Sequence, residues 1–295
     1  MNSIFLTGSS GFVGVNLIDY FGSYEFYKYQ RKTPIDIYQD VVIHLAGKAH
    51  DLKKTSNPEE YYQVNTELTK IVFDSFLASN AKVFITLSSV KAVADEVHGE
   101  LTEHHFPFPI TYYGESKLLA EEYILSKKIP EGKRVYILRP CMIHGPGNKG
   151  NLNLLYNLVS KGLPWPLGAF TNKRSFCSID NLMFIIKELI DRADIPSGVY
   201  NVADDKALST NEVISILAES KNKKPKIWNF SKGLIKALAK LGDLLRLPLT
   251  TERLQKLIES YVVSNQKIKS AIGKDLPVSA KDGLLKTFNS FHTNV

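Results

Sequence analysis

The chain has 295 residues, enough for one large domain or two closely joined ones, and its 44% hydrophobic and 23% charged residues are typical of a soluble globular protein. No apolar run approaches the roughly 20 residues that span a bilayer, and no signal peptide is recognised. A membrane-spanning protein is therefore disfavoured, and we expect a cytoplasmic one. The two cysteines, Cys141 and Cys177, lack metal-site spacing and are expected to be buried small side chains, with no metal bound.

The net charge of +7 is concentrated in one part of the chain. Four lysines occur in KNKKPK at 221–226, and a helical apolar pattern follows them to about residue 247. Such a basic amphipathic segment suits a membrane surface or a nucleic acid. We favour a solvated basic helix face and expect no nucleic-acid partner. Membrane-surface contact through 221–247 is kept as the alternative.

Strands and helices alternate along the first two thirds of the sequence, as in a parallel sheet covered by helices on both faces. Hydrophobic runs and their periodicity predict strands at 2–8, 24–31, 40–47, 82–89, 134–140 and 198–204, helices at 12–21, at 57–80 and from residue 112, and a strand followed by a helix within 175–190. We predict an α/β fold, a Rossmann-like doubly wound parallel sheet with a smaller, mainly helical C-terminal lobe. The first domain is expected at 1–147 plus about 177–201, and the second lobe at about 148–176 plus 202–295.

The sequence TGSSGFVG joins the first predicted strand to the first predicted helix. Its glycines, Gly8, Gly11 and Gly14, have the spacing that permits a tight turn, a close approach to a pyrophosphate and close helix–strand packing. Phe12 and Val13 open the helix, whose N-terminal N–H groups suit phosphate oxygens. The strand–turn–helix context favours dinucleotide binding over a merely structural turn.

The end of the second predicted strand bears on the choice between NAD and NADP. An acidic residue there binds the ribose 2′-hydroxyl, whereas a basic one accepts a 2′-phosphate. The sequence YKYQRK offers Arg31 and Lys32 and no acid, so NADP is slightly favoured, with surface cations as the simpler alternative. The segment that follows is too short for the usual crossover helix.

Tyr113 and Lys117 are four residues apart and therefore share one helix face. A nearby ammonium group and a cationic nicotinamide ring are expected to lower the phenol pKa from about 10 and let Tyr113 exchange a proton with a substrate oxygen. Ser88 and Ser89 follow a strand at the edge where open α/β sheets bind ligands. Either hydroxyl could hold the substrate oxygen.

These motifs resemble the extended short-chain dehydrogenase/reductase family, in its NAD-dependent epimerase/dehydratase branch acting on nucleotide sugars. The matching stretches are TGSSGFVG, VVIHLAG, YQVN, LSSVKAV, YYGESK, LRP, HGPGNKGN and RSFCSIDN. The resemblance implies catalytic roles for Ser89, Tyr113 and Lys117, with Ser89 fitting the gap to the tyrosine better than Ser88. It also implies cofactor contacts, in addition to the glycine loop, Tyr113 and Lys117, from Leu45, Ala46, Gly47, Asn65 and Pro140.

For the second lobe, the resemblance implies substrate contacts from Asn151 and from Arg174, beside Ser89. Guanidinium binds phosphate oxygens through two parallel hydrogen bonds, which suits the proposed grip of Arg174 on a substrate diphosphate. His144 stands where many family members have tyrosine, and we interpret it as a half-exposed loop residue. The family often forms homodimers, here through helices near 58–79 and 112–127.

The resemblance implies hydride transfer at C4 of a nucleoside-diphosphate hexose, with NAD or NADP as cofactor. Val90 and Lys91 follow Ser89 where dehydratases carry an acid pair, so dehydration is disfavoured. A 4-epimerase acting on a UDP-linked N-acetylhexosamine or 6-deoxy sugar in polysaccharide synthesis is favoured, and an NADPH-dependent 4-keto reductase is the alternative. A non-catalytic NADP-binding redox sensor is the alternative of another class, and the Tyr–Lys pair argues against it.

Overall fold

The computed structural model describes residues 3–49, 57–148, 151–245 and 250–291. Within these ranges the strands are β1 (Ser3–Thr7), β2 (Glu25–Lys28), β3 (Val41–His44), β4 (Val83–Leu87), β5 (Glu100–Leu101), β6 (Arg134–Pro140), β7 (Met142–His144), β8 (Phe176–Ser178), β9 (Gly198–Val202) and β10 (Val262–Val263). The helices are α1 (Phe12–Tyr20), α2 (Pro58–Tyr61), α3 (Leu68–Ala78), α4 (Tyr112–Ser126), α5 (Asn151–Ser160), α6 (Ile179–Asp191), α7 (Thr210–Ser220), α8 (Lys232–Leu245), α9 (Thr251–Ile258), α10 (Gln266–Ile272) and α11 (Ala280–Ser290). A π-helical stretch, Tyr62–Glu67, joins α2 to α3.

Six parallel strands form the central sheet in the order β2-β1-β3-β4-β6-β9. The inner strands are apolar on both faces because helices cover the sheet from both sides; all four residues of β3 are buried. This architecture confirms the predicted Rossmann-like α/β fold. The chain passes from β1 to β2 on one side and then crosses to β3 on the other. The carboxyl ends of β1 and β3 therefore border the crevice where such sheets bind ligands.

Residues 29–40, which connect β2 to β3, contain no helix. This confirms the prediction that the segment is too short for a crossover helix. Tyr29 extends the pairing of β2 with β1 through an N–H bond to Leu6 O at 2.9 Å. The carboxyl end of β2 is thereby kept beside the loop that follows β1.

Apolar side chains form two large cores around the sheet and one in the C-terminal part of the chain. One sheet face packs against α1 and α6, and the other packs against α3 and α4. The third core joins α5, α7, α8 and α11. Helix α10 packs on the sheet core through Ile268 and Ile272. The predicted domain bounds remain a prediction, and these contacts assign α10 to the sheet side.

His144 is not a half-exposed loop residue, so that interpretation is wrong. It ends β7, which pairs with β8 and is covered by α11, and its side chain is fully buried. Its Nδ1 lies 2.9 Å from Thr287 Oγ1, and its Nε2 lies 3.5 Å from Asp204 Oδ2. Cys177 is buried as expected, whereas Cys141 is only partly buried. In the described part of the chain, no helix is long and apolar enough to cross a membrane.

Candidate active site

The glycine loop lies between β1 and α1, and two of its glycines are required by close packing. Gly8 has φ +71°, and a Cβ there would lie 2.6 Å from Ala46 N. A Cβ at Gly14 would lie 2.3 Å from Gly8 O. The loop is thus pressed against both the first turn of α1 and the segment that follows β3, and neither position accepts a side chain without a shift.

The N-terminus of α1 suits a phosphate group. Gly11 is the N-cap residue and makes no side-chain capping bond, so the first N–H groups, from Phe12 onward, have no capping acceptor. Phe12 and Val13 are half-buried beside the loop. These free donors and the positive end of the helix dipole fit the pyrophosphate of a dinucleotide.

The segment Leu45–Gly47 continues β3 and forms the second wall of the crevice. Ala46 N donates to Thr7 Oγ1 at 3.1 Å, which ties the segment to the end of β1. Asn65 is fully buried in the π-helical stretch and holds residue 48 from both sides: its Oδ1 accepts from Lys48 N at 2.8 Å and its Nδ2 donates to Lys48 O at 3.0 Å. π-Helical turns of this kind are frequent at functional sites.

Lys117 is buried at the centre of the site. Its Nζ donates to Leu87 O at 2.8 Å. A Cβ at Gly47 would lie 3.0 Å from the same Nζ. Burial lowers the pKa of Lys117 to about 8, while the nearby Glu121 carboxylate opposes the shift. Burial and the Lys117 ammonium together lower the pKa of His44 to about 3, which keeps that imidazole neutral. Lys117 therefore faces a neutral imidazole rather than a second cation at His44.

Ser89 and Tyr113 come together at the end of β4, close enough for the Ser89 hydroxyl to affect the Tyr113 phenol. Burial raises the pKa of the Tyr113 phenol, and the nearby Ser89 hydroxyl opposes this rise. Burial by the protein alone thus acts against the expected lowering, which stays a prediction for the site with a nicotinamide ring bound. Lys117 is not among the groups that shift this pKa, so the positive charge of a bound ligand is the expected cause of a lowering.

Ser88 is engaged elsewhere, in a buried cluster that the sequence analysis missed. Its hydroxyl donates to Glu121, whose carboxylate forms a buried ion pair with Arg139. Arg139 Nε lies 2.9 Å from Oε1 and 3.0 Å from Oε2 of Glu121. This cluster leaves Ser89 as the hydroxyl that meets Tyr113. The available signals were an arginine inside the apolar run VYILRP and a glutamate four residues after Lys117.

Lys91 contacts Ser89, and Arg174 lies near Lys91. Lys91 N donates to Ser89 Oγ at 3.2 Å, and its Nζ lies 4.4 Å from the centre of the Tyr261 ring. Burial is the main cause that lowers the pKa of Lys91, and the nearby Arg174 adds to it. Arg174 Nε donates to Glu259 O at 3.1 Å, and its Nη2 donates to Lys256 O. The guanidinium is thus held by the end of α9.

Three predicted site residues remain: Pro140, Arg31 and Asn151. Pro140 is the buried last residue of β6, paired with Val202 of β9. Arg31 is exposed in the turn after β2. Asn151 begins α5, and its side chain lies outside the described residues, as do residues 149 and 150 of the GPGNKGN motif.

Comparison with known proteins identifies the family of the chain. The model of the NAD dependent epimerase/dehydratase family matches residues 30–203. UDP-glucose 4-epimerase of Vibrio cholerae is 35% identical over 250 residues, covering 73% of this chain and 75% of that protein. N-acetyl-alpha-D-glucosaminyl-diphospho-ditrans,octacis-undecaprenol 4-epimerase of Escherichia coli O157:H7 is 29% identical over 246 residues, covering 76% and 73%.

Among solved structures, RMD from Pseudomonas aeruginosa complexed with NADPH superimposes with a TM-score of 0.76 at 22% identity, covering 100% of this chain and 99% of that chain. This likeness supports the fold. The family match spans more than half of the sequence. The chain therefore belongs to the NAD dependent epimerase/dehydratase family, and the predicted family and the prediction of an enzyme are both confirmed.

Proposed function

We propose that the chain is a 4-epimerase that acts on a nucleoside-diphosphate hexose in polysaccharide synthesis, with a UDP-linked N-acetylhexosamine or 6-deoxy derivative as substrate. The observation that carries the proposal is the approach of Ser89 to Tyr113, with Lys117 of the same helix against Gly47, in the segment that packs on the glycine loop. Two relatives named above are 4-epimerases, one of UDP-glucose and one of an N-acetylglucosaminyl-diphospho-undecaprenol. The feature common to both substrates is a sugar joined to a diphosphate.

The cofactor of this proposal is NAD or NADP, and the residues present fit it. The loop Gly8–Gly14 would hold the pyrophosphate, Leu45–Gly47 and Asn65 would line the nicotinamide side, and Pro140 would close the base of the crevice. The lack of space for a Cβ at Gly8 and the lack of a capping side chain at Gly11 support this fit. When bound, the dinucleotide accepts and returns the hydride at the sugar C4.

The side chains of the chain supply the proton chemistry. Tyr113 would take a proton from the C4 hydroxyl and return it, acting as base and then as acid. Ser89 would hold the same oxygen by a hydrogen bond. The Lys117 ammonium would bind the nicotinamide ribose, and the positive charge of the bound ring would favour the charged form of the phenol.

Arg174 would bind the substrate diphosphate, and Asn151 would contact the substrate at the start of α5. Two backbone carbonyls at the end of α9 orient the guanidinium, which supports a positioned role rather than a freely moving surface cation. Lys91 lies near enough to Arg174 for the guanidinium charge to lower the pKa of the lysine. A positioned guanidinium suits the phosphates of a sugar diphosphate.

A 4-keto reductase is the second candidate. The exposed Arg31 and the absence of an acid in YKYQRK favour NADPH over NAD, and one structural neighbour was solved with NADPH. An exchanging NADPH suits a reductase, because the hydride is consumed in each turnover. A tightly held NAD suits an epimerase, because the hydride is returned.

Mass spectrometry of the dinucleotide released from freshly purified, denatured protein separates the two candidates. Stoichiometric NAD is expected for the epimerase. An empty protein that binds NADPH from solution and reduces a 4-keto sugar would replace the epimerase with the reductase. Arg31→Ala is the matched test of cofactor choice, because it should weaken NADP binding and leave NAD binding unchanged.

We also propose that two copies pair through α3 and α4. Ile71, Leu119 and Leu125 are large apolar residues exposed on these two helices, which supports a contact there. Sedimentation equilibrium should give twice the monomer mass. A monomer at all concentrations would reject the dimer and leave the catalytic proposal in place.

A further inference from the structure

Helix α8 packs on the C-terminal core by one narrow face and exposes a broad one. Ile235, Ala239 and Gly242 are buried, at the spacing of one helix face. The exposed side carries a row of four leucines, each between 45% and 57% exposed, at Leu234, Leu238, Leu241 and Leu245. Leu244 is 79% exposed. An apolar row of this length on a surface helix marks an interaction site.

Lysines form a second row on the opposite flank of the exposed side, about half a turn of the helix from the leucine row. Lys232, Lys236 and Lys240 follow one another at intervals of four residues and are all exposed. At 100° per residue, Leu244 lies between the leucine row and the lysine row. The helix therefore presents an apolar flank and a cationic flank together, the pattern of helices that lie in a membrane interface.

The charge of this region dominates the chain. Residues 221–245 contain seven lysines and one acidic residue, so their net charge of +6 supplies almost all of the chain's +7. The acidic residue, Asp243, is already engaged: it accepts from Thr251 N at 3.0 Å and from Thr251 Oγ1 at 2.5 Å. A second copy of this segment would be repelled, whereas an anionic surface would be attracted.

Two aromatic residues precede the helix and extend the same kind of surface. Trp228 and Phe230 are 52% and 40% exposed, and their rings pack edge to face at 5.8 Å. Before them, Lys223, Lys224 and Lys226 line a depression of about 320 Å³ together with Leu163. Aromatic side chains beside lysines are typical of the headgroup region of a bilayer.

Helix α8 is linked by packing to the proposed substrate site. Helix α8 packs against α9, and the carbonyls at the end of α9 hold Arg174. A surface bound to α8 would thus lie next to the element that positions the proposed diphosphate-binding arginine. This one consequence rests on the proposed function; the surface contact itself does not.

We propose that the exposed face of α8 docks onto an anionic lipid bilayer, with the leucine row entering the interface and the lysine row contacting lipid phosphates. The occupant is a lipid surface rather than a second copy because the face combines exposed leucines with an unbalanced positive charge. Docking is peripheral and depends on anionic lipid.

Co-sedimentation of the full chain with vesicles tests the proposal without substrate or turnover. The protein should bind vesicles of phosphatidylcholine containing one-third phosphatidylglycerol and should remain in solution with phosphatidylcholine alone. Leu238→Glu combined with Leu241→Glu should abolish binding. Lys236→Gln combined with Lys240→Gln should weaken it about tenfold or more, since each lysine near an anionic surface adds to the attraction.

Leu154→Glu is the matched control, because Leu154 is a 68% exposed leucine on another helix, α5. It should bind vesicles like the unchanged protein. Failure to bind the anionic vesicles, or equal binding by the control and both double variants, would overturn the proposal. Self-association that the leucine variant abolishes, without vesicle binding, would assign the face to a second copy. None of these results changes the outcome expected in the 4-epimerase assay.

Discussion

The sheet-edge site and the exposed face of α8 are built in opposite ways. At the sheet edge, formed by the glycine loop, residues 45–47, Ser89, Tyr113 and Lys117, backbone and side chains meet within about 3 Å, and charges are buried. On α8, leucines and lysines point outward with few neighbours. Steric fit inside the chain determines the first region. The second region has no such fit, and we have proposed that it contacts a lipid surface.

The largest effect on stability is expected at Glu121. Glu121→Gln leaves the buried Arg139 charge without its carboxylate and should lower the free energy of unfolding by about 3–5 kcal/mol. Chemical denaturation measures the change. Glu122→Gln is the matched control, because the neighbouring glutamate is exposed and should cost less than about 0.5 kcal/mol. Similar values for both variants would show that the ion pair contributes little.

Gly8→Ala should separate steric fit from backbone conformation. Gly8 and Gly132 both have positive φ, but a Cβ at Gly132 meets nothing within 4 Å. Gly132→Ala should cost about 1 kcal/mol for conformation alone, and Gly8→Ala at least about 1–3 kcal/mol more because of the contact with Ala46. Gly8→Ala should also lose dinucleotide binding in a calorimetric titration. Equal costs would contradict the packing described for the loop.

The buried Lys117 predicts a rise of stability with pH. Its pKa is about 8 when folded and about 10.5 when unfolded, so between these values the unfolded chain binds the additional proton. Stability should therefore increase as pH rises through this window, by up to about 1.4 kcal/mol per unit. Turnover should fall over the same window, because the ammonium is lost.

Denaturation curves at several pH values test this prediction by comparing the unchanged protein with Lys117→Met. The rise should be absent in that variant and retained in Lys128→Met, which removes an exposed lysine. A rise of the same size in all three proteins would assign the pH dependence to other groups.

The smallest effect on stability is expected on α8. Leu238→Glu exchanges an exposed leucine for a charge and should change the free energy of unfolding by less than about 0.5 kcal/mol. Its vesicle binding should nevertheless fall. Thermal unfolding and co-sedimentation on the same sample give both values. A loss of several kcal/mol would mean that the leucine row is structural, and the contrast between the two regions would disappear.

The sequence predicted those features that depend on local patterns. Short stretches contain the strand–glycine–helix unit and the Tyr–Lys spacing. The doubly wound sheet followed from the alternation of short strand and helix patterns. His144 was misjudged because its burial depends on Thr287, 143 positions away. The Glu121–Arg139 pair was missed because it joins a helix to a strand. The pattern of α8 predicted an amphipathic helix, but only packing shows that its leucines stay exposed.

The most direct test of the account follows UDP-N-acetylglucosamine by proton NMR in the presence of NAD and the purified protein. We predict conversion to the 4-epimer until equilibrium, and a rate lower by about 10²-fold or more for Tyr113→Phe, which keeps the ring and removes the exchangeable proton. Conversion at an unchanged rate by Tyr113→Phe would contradict the proton-transfer role at the sheet-edge site.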